Sequence, residues 1–83
     1  MNDLIRKVEA ILFAASKRMD LEEIKQLIEE DSLENIQTAL DELAKQYDSI
    51  DTSLTIISDG DAWKITLKDE YLHVAEKLMP SSD

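Results

Sequence analysis

A mainly helical α+β fold is predicted, on three observations. Apolar residues recur at three- and four-residue spacing in three successive segments between Leu4 and Tyr47, the signature of amphipathic helices. An alternation of apolar and polar residues follows, broken by the turn pair Asp59-Gly60. A last amphipathic segment then runs from Glu70 to about Met79, where Pro80 stops it.

The first helix is expected over Leu4 to Ala15, with Asn2 or Asp3 as its cap. Leu4, Val8, Ile11, Leu12 and Ala15 make its main apolar stripe. Phe13 lies off that stripe, and Ile5, Ala10 and Ala14 widen the apolar area around it. A helix that is apolar over most of its circumference is usually covered on more than one side. Phe13 is therefore either exposed or covered by the chain's own carboxy-terminal segment, or it marks a contact with a second copy or another protein. Ile5, Glu9, Phe13 and Lys17, at four-residue spacing, form the candidate contact ridge.

Ser16 to Met19 is a short connection. Asp20 with Glu23 forms a capping box for a second helix, whose expected buried face is Leu21, Ile24, Leu27 and Ile28. Glu29, Glu30 and Asp31 end it without a glycine to set the turn. The third helix, within Ser32 to Tyr47, carries the stripe Leu33, Ile36, Leu40, Leu43, Ala44 and Tyr47. Asp31 with Glu34, or Ser32, caps it. Its outward face is Glu34, Asn35, Thr38, Asp41, Glu42, Lys45 and Gln46, with three carboxylates and one lysine.

In the hairpin, Trp63, Ile65 and Leu67 point to one face and Lys64, Thr66 and Lys68 to the other, with Leu54 and Ile56 joining the inward row and Ile57 outside. Asp69 caps the last helix, whose expected apolar face is Tyr71, Val74, Ala75 and Leu78. The order α-α-α-β-β-α is that of a winged helix: three helices, a two-stranded antiparallel wing and a C-terminal helix. One winged-helix domain over 1–79 and a disordered tail over 80–83 account for the 83 residues.

Composition narrows the function. There is no cysteine, so neither a disulfide framework nor a thiolate zinc site is available. The one histidine, His73, precludes a histidine metal cluster and reads as a solvent-facing helix residue. One glycine leaves no glycine-rich phosphate loop, and no serine sits on a nucleophile elbow. No catalytic residue, cofactor, metal or small-molecule substrate is expected, and the chain does not read as an enzyme. No apolar run approaches the roughly 20 residues of a membrane span, and the amino terminus lacks signal-peptide features.

Net charge is −10, from 9 basic and 19 acidic side chains. DNA affinity comes from basic groups that release counterions from the phosphates. In DNA-binding winged helices the third helix enters the major groove, but here that face is acidic. Direct DNA binding is not the expectation; the alternative reading, a DNA-binding transcriptional regulator, would use Lys45, Lys64 and Lys68. A protein partner with a basic or apolar surface fits the charge better.

The segment KVEAILFAASKRMDLEEIKQLI resembles the opening of the segregation and condensation protein B family, where a first helix of "EAILFAS" type leads into a helix of "LEEL" type. The similarity continues through NIQTALDELAKQYDS and LTIISDGDAWKITLKDEYLHVAEKLM, and covers residues 3 to 79. The resemblance implies a non-enzymatic accessory subunit of the prokaryotic condensin complex. Such proteins bind the kleisin that links the heads of an SMC ATPase, dimerise, and act in chromosome condensation and segregation. It also implies a cytoplasmic, nucleoid-associated protein and a homodimer. Members of that family commonly carry two winged-helix domains, and this chain corresponds to the first. Kleisin contacts assigned to a second domain therefore have no counterpart in it.

Overall fold

The computed structural model describes residues 2–78. The expected helix stop at Met79 and Pro80 and the tail over 80–83 lie outside the described residues, as does the Asn2 side chain as a cap. The elements are α1 (Asn2–Ala15), β1 (Met19–Asp20), α2 (Leu21–Ile28), α3 (Leu33–Ser49), β2 (Leu54–Asp59), β3 (Ala62–Leu67), a 3-10 turn (Asp69–Tyr71) and α4 (Leu72–Glu76).

Helix α2 starts as its sequence predicts. Asp20 Oδ1 accepts from the Glu23 amide at 2.8 Å, and the Glu23 carboxylate accepts from the Asp20 amide at 3.1 Å. Its end uses the left-handed conformation without a glycine: Glu29 has φ of 63°. The Glu29 amide donates to Gln26 O, and the Glu30 amide to Lys25 O at 3.1 Å, the bonding pattern of a Schellman motif. Ser32 is the N-cap of α3, accepting from the Asn35 amide at 3.3 Å.

Val8 and Leu12 of α1, Ile24 of α2, and Ile36, Ala39, Leu40 and Leu43 of α3 form the sealed core. The inward row of the sheet, Leu54, Ile56, Trp63 and Ile65, closes over it half-buried. Two details differ from the expected stripes. Leu27 is 62% exposed, because α2 is a single short helix that meets the core only along Ile24 and the half-buried Leu21 and Ile28. Leu33 is also exposed, at the first position of α3, where the chain has not yet reached the core; Ala39 is buried in its place.

The wing has the expected register, with Leu54 opposite Leu67 and Ile56 opposite Ile65, and Ile57 exposed. Asp59 pairs with Ala62, so the loop is Gly60-Asp61, and positive φ falls on Gly60 alone, at 66°. The hairpin also gains a third strand. Met19 and Asp20 pair antiparallel with Trp63 and Ala62, giving the strand order β1-β3-β2. Two residues are too few to show a period in sequence, so this strand exists only through its distant partner.

The carboxy-terminal segment departs most from expectation. It is a 3-10 turn followed by the five residues of α4, with no side-chain cap at either start. Tyr71, Leu72, Val74 and Leu78 are exposed, and only Ala75 is half-buried. The expected apolar face is thus not packed on the described core. So short a helix has too few turns to lay a stripe across a neighbour.

Candidate protein-interaction surface

Helix α1 carries the residues singled out for contact, and the structure divides them. Ile5 is 2% exposed and belongs to the core with Val8 and Leu12. It is therefore removed from the proposed ridge. The physical reason is rotation: positions eight apart on a helix are offset by about 80°, so Ile5 can face inward while Phe13 faces out. Phe13 is 71% exposed, so nothing in residues up to Leu78 covers it. Lys17 is exposed but lies beyond the helix end at Ala15, after Ser16 turns the chain with φ of 56°. It is not a further helical step of the same ridge.

Glu9 is half-buried and engaged. Tyr47 Oη donates to Glu9 Oε2 at 2.6 Å, and Arg6 Nη1 donates to Glu9 Oε1 at 2.8 Å. Arg6 also donates to Gln46 Oε1. This network ties α1 to the end of α3 and takes Gln46 out of the free outward face. Tyr47 is 8% exposed, and burial, then the bond to Glu9 and the charge of Glu9, push its phenol up to about 12, with Arg6 opposing. No local pattern in sequence signals this pairing, since its partners are 38 residues apart.

Beside Phe13 lies a groove of about 290 Å³. Leu12, Phe13 and Ser16 line one side; Leu54 and β3 residues Lys64, Ile65, Thr66 and Leu67 line the other. Lys64 is the only charged residue in its lining. Other clefts carry an excess of carboxylates: one is lined by Asp20, Glu22 and Asp61 with Leu21 and Leu33, another by Asp48, Asp69, Glu70 and Lys68 with Ile57 and Leu72. Sequence reasoning singled out Phe13 but not this groove, because its two walls come from segments some fifty residues apart.

The lysines of the DNA-binding alternative are divided between α3, which carries Lys45, and the wing, which carries Lys64 and leads into Lys68. Lys45 pairs with Glu42 of its own helix at 3.8 Å. Lys64 stands opposite Ile57 in the outward row of β3, and Lys68 follows that strand with its amide donating to Ser53 O at 2.8 Å. Trp63 is half-buried against the core, and His73 is exposed on α4. Among the described residues, no group of three or more His, Cys, Asp or Glu side chains is placed to hold a metal ion, and no helix is long and apolar enough to cross a membrane.

The family model described as "Segregation and condensation complex subunit ScpB" matches residues 6–83. The segregation and condensation protein B of Desulforamulus reducens is 31% identical over 75 residues, which are 90% of this chain and 41% of that protein. The chain thus spans about two fifths of the length of the curated relative it matches. Among solved structures, it is similar to a dimer of an ScpB N-terminal domain complexed with ScpA peptide, with a TM-score of 0.79 at 24% identity, over 95% of this chain and 91% of that one. It is similar also to a conserved hypothetical protein from Chlorobium tepidum, with a TM-score of 0.79 at 20% identity, over 94% of this chain and 49% of that one. At these identities the two structural likenesses establish the winged-helix fold.

Proposed function

The chain belongs to the segregation and condensation complex subunit ScpB family, and on that premise we propose that it is a non-enzymatic accessory subunit of a prokaryotic SMC–kleisin complex, acting in chromosome condensation and segregation. It works by self-association and by binding protein, in the cytoplasm at the nucleoid. The observation that carries the reading is Phe13: a large aromatic side chain, 71% exposed, beside an apolar groove on a chain of net charge −10. Burying such an aromatic against a partner removes its apolar surface from water, and aromatic anchors of this kind dominate interface energies. The solved ScpB N-terminal domain dimer with ScpA peptide supports a second copy and the kleisin ScpA as the partners. Phe13 and the exposed Lys17 are the contact residues, with Glu9 holding the helix that presents Phe13, and Lys17 following in the turn after it.

Sedimentation velocity of the chain, alone and with ScpA from the same organism, tests this. A dimer that shifts further with ScpA is the expected result. A monomer that ignores ScpA overturns the reading.

A further inference from the structure

Strand β3 is the middle strand of the sheet, but β1 covers only its beginning, at Ala62 and Trp63. The rest of that edge has no strand paired to it among the described residues, and its hydrogen-bonding parity follows from one contact. The Lys68 amide donates to Ser53 O at 2.8 Å, directly across in the register that sets Leu54 against Leu67. In an antiparallel ladder, pairs that exchange hydrogen bonds alternate with pairs that do not. Lys64 and Thr66 therefore bond to β2, while Ile65 and Leu67 turn their N–H and C=O groups the other way, where β1 has ended. Among the described residues these groups meet no hydrogen-bond partner. The groove beside Phe13 runs along this stretch of β3.

The geometry points to strand addition: the open edge at Ile65 and Leu67 takes up an extended segment of a partner protein, alternating apolar and acidic side chains, as an additional strand. This deepens the reading of the chain as a protein-binding subunit and rests on it. Unpaired strand edges are templates for such pairing, with main-chain bonds giving affinity and alternate side chains giving specificity. Side chains of the segment opposite Ile65 and Leu67 fall on the inner face, against Leu12 and Phe13. Those opposite Lys64 and Thr66 fall on the outer face.

Charge selects the occupant. The groove has no carboxylate in its lining and carries Lys64, whereas the cleft on the outward face of the hairpin is lined by Asp48, Asp69 and Glu70 with the single lysine Lys68. A second copy of this chain fits poorly. The register that pairs Ile65 with Leu67 of the other copy, and the reverse, sets Lys64 opposite Lys68, and like charges directly opposite are destabilising.

Amide hydrogen exchange on the 83-residue chain tests the site. The probes are ScpA from the same organism and, separately, a capped hexapeptide alternating valine and glutamate at millimolar concentration. With ScpA bound, exchange at Ile65 and Leu67 should slow about tenfold or more, while Lys64 and Thr66 start protected. Lys64→Glu, folded by circular dichroism, should weaken binding about tenfold. ScpA binding with unchanged exchange at Ile65 and Leu67 overturns the edge site and leaves the subunit reading standing. Protection by the peptide without any ScpA binding supports the edge site and overturns the kleisin reading. No ScpA binding together with no protection by the peptide overturns both.

Discussion

The Tyr47 hydroxyl donates a hydrogen bond of 2.6 Å to Glu9 Oε2, fastening the last turns of α3 to the middle of α1. Both groups are largely withdrawn from water, and Arg6 supplies the balancing charge from 2.8 Å. Tyr47→Phe keeps the ring and removes only this bond. A hydrogen bond to a charged group contributes about 1.5–3 kcal/mol, less where the acceptor keeps another partner, as Glu9 does. The expected loss is about 1–2 kcal/mol, which lowers Tm by roughly 4–8 °C per kcal/mol in a domain of this size. An unchanged thermal melt would show that the bond does not contribute.

The same contact predicts a dependence on alkaline pH. The phenol of Tyr47 is raised from 10.0 to about 12 in the folded protein, by burial first and then by Glu9. A group raised on folding contributes stability that is complete below its unfolded value and is lost as pH rises through its folded value. The denaturant midpoint of the wild type should therefore fall toward that of Tyr47→Phe between pH 10 and about 12. A difference between the two that is constant from pH 8 to about 12 would contradict this assignment.

Glu29 holds φ of 63° at the end of α2, where helices that end in the left-handed conformation usually place glycine. A residue with a Cβ in the left-handed region costs about 1–2 kcal/mol. Glycine carries its own cost in the unfolded chain, so Glu29→Gly should stabilise by about 0.5–1 kcal/mol. Urea unfolding measures it; destabilisation would mean that the glutamate side chain makes a contribution beyond the backbone geometry.

Ile24 and Leu27 test how α2 is seated. They lie three apart on one expected face, yet Ile24 is fully buried and Leu27 is 62% exposed. Ile24→Ala should cost about 2–5 kcal/mol and leave so small a domain close to unfolding. Leu27→Ala should stay within about 0.5 kcal/mol, as for an ordinary surface position. Equal losses in chemical denaturation would mean that α2 is rotated from this packing.

Phe13→Asp should separate folding from association. At 71% exposure the ring contributes little to the core, so helicity should persist. Loss of an aromatic anchor typically costs an interface 2 kcal/mol or more, about thirtyfold in affinity. A sedimentation profile identical to wild type would remove Phe13 from the interface.

Local physics makes most of this fold legible in the chain itself. The capping box of Asp20 and Glu23 places the start of α2, and Asp59-Gly60 places the hairpin turn with the inward row already sorted. The stripe of Ile36, Leu40, Leu43 and Tyr47 assigns the inner face of α3. Periods and caps act over a few residues, and those residues are adjacent in sequence. What tertiary structure alone decided is which sector of each helix meets the core. Ile5 and Phe13 are both apolar residues flanking the same stripe; packing against α3 buries the first and leaves the second in solvent. The two-residue strand β1, the open edge of β3 beyond it, and the bond from Tyr47 to Glu9 join segments far apart in the chain. Their energies depend on a spatial approach that no local pattern encodes.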